Sequence, residues 1–331
     1  MKNIIILMLT ILFSFSAKAD FTCAYDNNAV VFTVPLSGTV SVGVDSPNGT
    51  VLYNGMVTQS TTPTYRCDAG PQWLDQQFLN ILSAPSPLST WSGSPFPGAV
   101  YTTNIPGVGI AIWSQLVPAS AATTTSKVLV WSGTRQNLTN IPVRLTLGYS
   151  LIKIGNISPG AITGMSLPTF GISLQVTPNV VGFPWQAITY NFSGALNIVA
   201  NTCETPDVNV NLGAWDIAKL GAIGKTTQWV KSNITLKNCP TFSGYYSTNT
   251  VNNYTDGTVN IPGRDANALS VSLTPATQLI DATNGVMAIN AGTTAASGIG
   301  IQLGWGDYTA APTLFNFNQD YNYTPPTSGV T

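Results

Sequence analysis

Acidic, amide and indole groups gather in one short stretch, Asp68-Ala69-Gly70-Pro71-Gln72-Trp73-Leu74-Asp75-Gln76. Carboxylate and amide oxygens accept from sugar hydroxyls, and an indole face packs on the C–H side of a pyranose ring. Asp68, Gln72, Trp73 and Asp75 are therefore candidate ligand-binding residues. The alternative is a loop in which Trp73 caps the core and the aspartates are solvated or cap a short helix over Gln72 to Leu82. A second stretch, Trp131-Ser132-Gly133-Thr134-Arg135-Gln136-Asn137, runs from a strand end into a polar loop. Arg135 there can hold a carboxylate, or it is the surface Arg of an ordinary hairpin. Trp91, beside Ser92-Gly93, is a further candidate as an exposed loop aromatic, whereas Trp113 and Trp185 are expected in the core.

The same inventory argues against catalysis. The chain has no histidine, and none of its four cysteines stands in a C-x-x-C or similar metal spacing, which removes the usual basis for a zinc site or a His-based triad. Glycoside hydrolysis needs two carboxylates flanking the bond. Between Gln76 and Cys203 there is no Asp or Glu, leaving Asp20, Asp26, Asp45, Asp68 and Asp75 in the front of the chain. Gly107-Val108-Gly109 is followed by no Lys and no helix start, so it is not a phosphate loop. The sequence thus points to a non-enzyme without metal or cofactor. A net charge of −1 provides no basic field for nucleic acid.

These groups must be held by strands. Val30, Phe32, Val34 and Leu36 alternate with polar or small residues, as do Val40-Val42-Val44, Val108-Ile110-Ile112, Ile141-Val143-Leu145-Leu147, Ile172-Leu174-Val176 and Ile188-Tyr190-Phe192. Period-two runs separated by Ser46-Pro47-Asn48-Gly49, Ser94-Pro95-Phe96-Pro97-Gly98 and Ser158-Pro159-Gly160 predict an all-β domain, a jelly-roll or immunoglobulin-like sandwich. The Ala/Thr run from Ala119 to Ser126 is expected as a loop before a strand at Val128 to Trp131. Charged residues are 8% and hydrophobic ones 44%, a composition that suits an extracellular β-protein with neutral polar faces.

Lys2, the apolar run Ile4 to Phe15 and Ala17-Lys18-Ala19 predict an export signal over 1–19. A receptor-binding domain is then expected over 20–200 and a second domain over 201–331. Export makes disulfides plausible, and of three possible pairings the sequential one, Cys23–Cys67 and Cys203–Cys239, keeps each bridge within one domain. For the second pair, unrelated buried thiols are the alternative. Alternation at Val208-Val210-Leu212 and at Val230, Ser232, Ile234 and Leu236 predicts two strands, joined near their ends by Cys203 and Cys239.

Cys203 with the Val-x-Val-x-Leu-Gly run, Ile234-Thr235-Leu236-Lys237-Asn238-Cys239-Pro240 and Gly298-Ile299-Gly300-Ile301-Gln302-Leu303 together resemble a chaperone–usher pilin domain. Asp45-Ser46-Pro47-Asn48-Gly49-Thr50, Pro106 to Trp113 and Arg144 to Gly155 resemble two-domain fimbrial tip adhesins, although Ala111 stands where typical members carry a basic residue. The resemblance implies an incomplete immunoglobulin-like pilin domain behind the front sandwich, completed by a strand from an adjacent pilin subunit. It further implies a periplasmic chaperone, an outer-membrane usher, a place at the fimbrium tip, and a host glycan or extracellular-matrix protein as ligand. Cys23 follows the expected cleavage site too closely for a donor strand, which suits a tip position. The turn-like residues after Tyr323 lead to the expectation that the pilin domain is truncated at its end. A minor structural or adaptor subunit and a secreted glycan-active enzyme are the alternatives.

Overall fold

The computed structural model describes residues 21–26, 29–58, 61–68, 72–136, 140–143, 146–175, 178, 180–200, 202–244, 252–255, 258–260 and 265–325. The export signal expected over 1–19, Ala69 to Pro71, Asn137 and Arg144 lie outside them. The chain divides into two compact units. One runs to Ala200 and includes Tyr245–Asp265; the other comprises Asn201–Gly244 and Ala266–Thr331.

The protein is all-β. In the first unit β1 is Phe21–Tyr25, β2 Val30–Leu36, β3 Thr39–Ser41, β4 Val51–Thr58, β5 Thr64–Cys67 and β6 Trp73–Ser83. There follow β7 Tyr101–Thr102, β8 Val108–Ser114, β9 Val117–Ala121, β10 Val128–Arg135, β11 Ile141–Pro142 and β12 Leu147–Lys153. Then come β13 Gly160–Thr163, β14 Thr169–Leu174, β15 Val180–Val181, β16 Trp185–Val199, β17 Asn252–Thr255 and β18 Thr258–Asn260. One large sheet runs β10-β6-β14-β16-β13, with β2 and β3 laid parallel along β16. The other runs β18-β17-β4-β12-β8-β7, with β9 on β8, and a separate four-stranded sheet is ordered β11-β5-β1-β15.

The period-two runs fill the interior. Phe32, Val34 and Leu36 of β2, Leu79 of β6, Ile110 and Ile112 of β8, Leu147, Tyr149 and Leu151 of β12 and Phe170 and Ile172 of β14 join one apolar cluster. Tyr149 meets Phe192 of the opposite sheet edge-on at 4.9 Å. Each such side chain contributes roughly 1.5–3 kcal/mol on burial. The central strands β8 and β12 are buried on both faces. Their outer face is covered by the segment before β7, which supplies Phe96 and Trp91 to a second cluster with Val100, Ala111, Trp113 and Ile152.

Three expectations change. The segment 72–82 is not a helix: Trp73, Asp75, Gln77, Leu79 and Ile81 alternate inward along β6, and pairing with β10 on one side and β14 on the other fixes it as a strand. The run Ala119 to Ser126 is not simply a loop, because β9 occupies its first residues and a hydrogen-bonded turn the rest. In the second unit neither 208–212 nor 230–236 is a strand; among the described residues of 202–244 the one pairing is a bridge between Glu204 and Lys237, beside the Cys203–Cys239 disulfide.

That unit forms short ladders instead. β19 (Leu269–Val271) pairs with a later strand; β20 (Leu279–Asp281), β21 (Val286–Ala288) and β22 (Gly300–Gln302) form a small sheet; β23 (Gly304–Trp305) pairs with β24 (Thr313–Leu314); and β25 (Tyr321–Tyr323) closes on β19. Phe315, 2% exposed, packs among Trp305, Phe317 and Tyr321 at 5.0–5.7 Å.

Candidate functional site

At one end of the first unit, β1 and β5 place Cys23 directly opposite Cys67, and the two form a disulfide. Around it stand Tyr65, Trp73, Phe183 and Trp185, with Tyr65 edge-on to the other three rings at 5.6–6.2 Å. Trp73 therefore belongs to the core and is not offered to a ligand. The reason is register: Trp73 lies on the inward face of β6, two residues before Asp75.

Asp75 is also interior, with a fully buried side chain, and Arg135 Nε donates to its Oδ2 at 3.1 Å. Burial raises the Asp75 carboxyl above the ordinary carboxylate range; the hydrogen bond and charge of the Arg135 guanidinium pull the other way. The same burial, with the Asp75 charge, pushes the Tyr65 phenol far up. Arg135 is further held by the Trp131 ring, whose centroid lies 4.1 Å from the guanidinium carbon. The ring reaches it because it lies along β10 over Gly133, where any Cβ would sit 2.5 Å from Trp131 Cη2. The structure thus brings Asp75 and Arg135 together, but as each other's partner. A desolvated ion pair of this kind fixes β10 to β6.

The remaining candidates separate. Asp68 and Gln72 are exposed, and the Asp68 amide donates to the Thr22 carbonyl at 3.0 Å. Trp91 is half-buried, its indole N–H donating to the Pro95 carbonyl at 2.9 Å; it belongs to the cover over β8 and β12. Beneath that cover Ala111 is fully buried. A basic side chain at this position would be desolvated there. Trp113 and Trp185 are interior, at 9% and 6% exposure.

A different place is open. Where the edge strands β9 and β10 of the two large sheets approach, a groove of about 480 Å³ is lined by Phe96, Pro97, Val117, Ser120, Ser126 and Lys127 among others. No Asp or Glu lines it. Its rim is pre-ordered: the Thr123 amide donates to the Ser126 carbonyl, the Ser126 amide donates to Thr123 Oγ1 at 2.9 Å, and the Thr124 amide donates to the Tyr101 hydroxyl at 2.7 Å. Phe96, at φ +57°, is an aromatic residue in the left-handed region, where strain is tolerated only if the surroundings impose it. Its ring lies stacked 6.4 Å from Trp113. Sequence reasoning missed this groove because Lys127 follows a run of Thr and Ser that reads as a loop. An isolated cation next to a strand start was the only signal available.

No family model matches the chain, and no curated protein matches it. Among solved structures it is similar to the receptor-binding domain of the plasmid-born adhesin MrkD1P of Klebsiella pneumoniae, at 17% identity and a TM-score of 0.34, over 56% of this chain and 98% of that one. It is also similar to the CupB6 tip adhesin from Pseudomonas aeruginosa, at 13% identity and a TM-score of 0.30, over 51% of this chain and 40% of that one. Both of these solved structures are of adhesins.

Proposed function

We propose that this protein is a fimbrial tip adhesin. Its first unit binds a host glycan or matrix protein non-covalently, and its second unit is held in the fimbria by a strand that a neighbouring pilin subunit inserts. One observation carries the reading. The alternating residues Val208, Val210, Leu212, Val230 and Ile234 stay 39–50% exposed, and among the described residues no strand pairs with either run. Apolar rows with unpaired backbone invite an added strand, and alternate side chains then give that strand its register. The motif resemblance to pilin domains falls on these same residues. The periplasmic chaperone would cover the rows before assembly at the usher.

The groove between β9 and β10 is the receptor site in this reading, with Asp68 and Gln72 as exposed polar groups elsewhere on the unit. A glycan-active enzyme is disfavoured there because the groove presents no carboxylate pair.

Thermal unfolding of the full chain tests strand acceptance. An alternating-apolar peptide should add a cooperative high-temperature transition for the second unit, while a scrambled peptide of the same composition should not. Cooperative melting of the second unit at high temperature without any peptide contradicts the proposal.

A further inference from the structure

Among the described residues of the first unit, three of the four cations are spoken for. Arg135 pairs with Asp75, and Arg66 with Asp26 at 3.1 Å. Lys153 is 3% exposed and donates to the Gly155 carbonyl at 3.0 Å. Among the described residues of this unit, Lys127 is the one exposed cation without an ion pair, and it lines the groove.

What surrounds it sets the chemistry. Ser120 and Ser126 line the same groove, and both are exposed. Pro97 and Val117 add apolar wall, and the absence of Asp and Glu from the lining means that nothing there repels an anion. The turn that carries Ser126 and Lys127 is tied to Tyr101, so little backbone ordering remains to be lost on binding. One ammonium, two hydroxyls and an apolar wall match a sugar ring that bears a carboxylate. The ammonium takes the carboxylate as a charge-assisted pair, the serines bond ring or side-chain hydroxyls, and the C–H face lies on Pro97. A neutral sugar would leave the cation unused. A sulfate or phosphate ester would be better served by a guanidinium fork or several cations.

We propose that the β9–β10 groove recognises a terminal carboxylate-bearing sugar, with Lys127 as the residue that selects for the charge. This rests on the adhesin reading and names its ligand class.

The test is surface plasmon resonance of the full chain over immobilised sialyllactose and lactose, for wild type, Lys127→Gln and Lys127→Arg. Losing one charge-assisted bond should weaken sialyllactose binding roughly tenfold or more. Lys127→Arg should retain most of it, and lactose binding should be weaker than sialyllactose binding and unaffected by either change. Raising salt should weaken the sialyllactose interaction of wild type. Equal binding to the two probes, or sialyllactose binding that Lys127→Gln leaves intact, overturns the assignment. Adherence of the same proteins to host-cell monolayers separates the two levels. Wild-type adherence that Lys127→Gln and sialidase treatment both leave unchanged sinks the acidic-sugar groove and leaves the adhesin reading standing. Absence of adherence to cells and matrix sinks both.

Discussion

Arg135 Nε lies 3.1 Å from Asp75 Oδ2, and this contact turns two residues that look available to a ligand into a structural clasp between β10 and β6. The Asp75 side chain is fully buried while that of Arg135 keeps 25% exposure. Removing Arg135 therefore strands a charge in the interior, whereas removing Asp75 leaves a cation that can still reach water.

Arg135→Met should accordingly cost about 3 kcal/mol at neutral pH, near the low end for breaking a buried pair. Burial already raises the Asp75 carboxyl, and loss of the guanidinium raises it further. A folded-state value above the unfolded one means that the folded protein holds the proton to higher pH. Stability then falls as pH rises from the ordinary carboxylate range through the raised one. The deficit of Arg135→Met should thus be largest near pH 7 and shrink toward pH 4, as read by denaturant midpoints across pH. A deficit independent of pH would show that packing on Trp131, not charge, is what was lost.

Trp73→Ala should destabilise the first unit by roughly 3–5 kcal/mol, the usual cost of emptying a large aromatic site in a core. Trp73→Phe should recover part of it. Chemical denaturation checks this, and a near-neutral Trp73→Ala would place Trp73 at the surface after all.

Replacing Cys23 and Cys67 together by Ala removes a cross-link spanning 44 residues, worth roughly 4 kcal/mol by loop-closure entropy. The thermal transition of the first unit should drop accordingly, and reduction of the wild-type protein should reproduce the drop. Non-reducing peptide mapping should return Cys23–Cys67 and Cys203–Cys239 fragments.

Ala111→Lys places a cation beneath the cover formed by Phe96 and Trp91. With no carboxylate in that cluster, it should cost roughly 3–5 kcal/mol or expel the cover. Expulsion of the cover should red-shift Trp emission, and a variant that keeps its cover should show the loss as a lowered denaturant midpoint. A stable variant with unchanged fluorescence would mean that the cover is not tightly packed.

Most strands of the first unit were legible because alternation such as Phe32-Val34-Leu36 is imposed by a two-sided sandwich, in which a one-residue slip would expose a whole row; the run Val40-Val42-Val44 is a strand only to Ser41, and Ile141 to Leu147 divides between β11 and β12. A core place for Trp73 was one of two readings the sequence left open, whereas the burial of Asp75 was not legible. Local sequence shows that polar and aromatic groups are close together; only the register of β6 against β10 and β14 shows that they point inward. Alternation at Val208 to Leu212 carried the pattern of a strand without the neighbour that makes one, since ladder formation needs a second strand that local periodicity does not supply. The groove escaped notice for the converse reason. Phe96 and Lys127 are some thirty residues apart in sequence, and only the approach of β9 to β10 brings them to the lining of one groove.

The most direct test of the adhesin reading is equilibrium binding of the full chain, completed with a donor peptide, to arrays of host glycans and matrix proteins, with recovery of the bound ligand for mass analysis. The account predicts saturable, reversible binding to at least one class and recovery of the ligand unchanged. No saturable binding to any host ligand, or a recovered ligand with an altered mass, would contradict it.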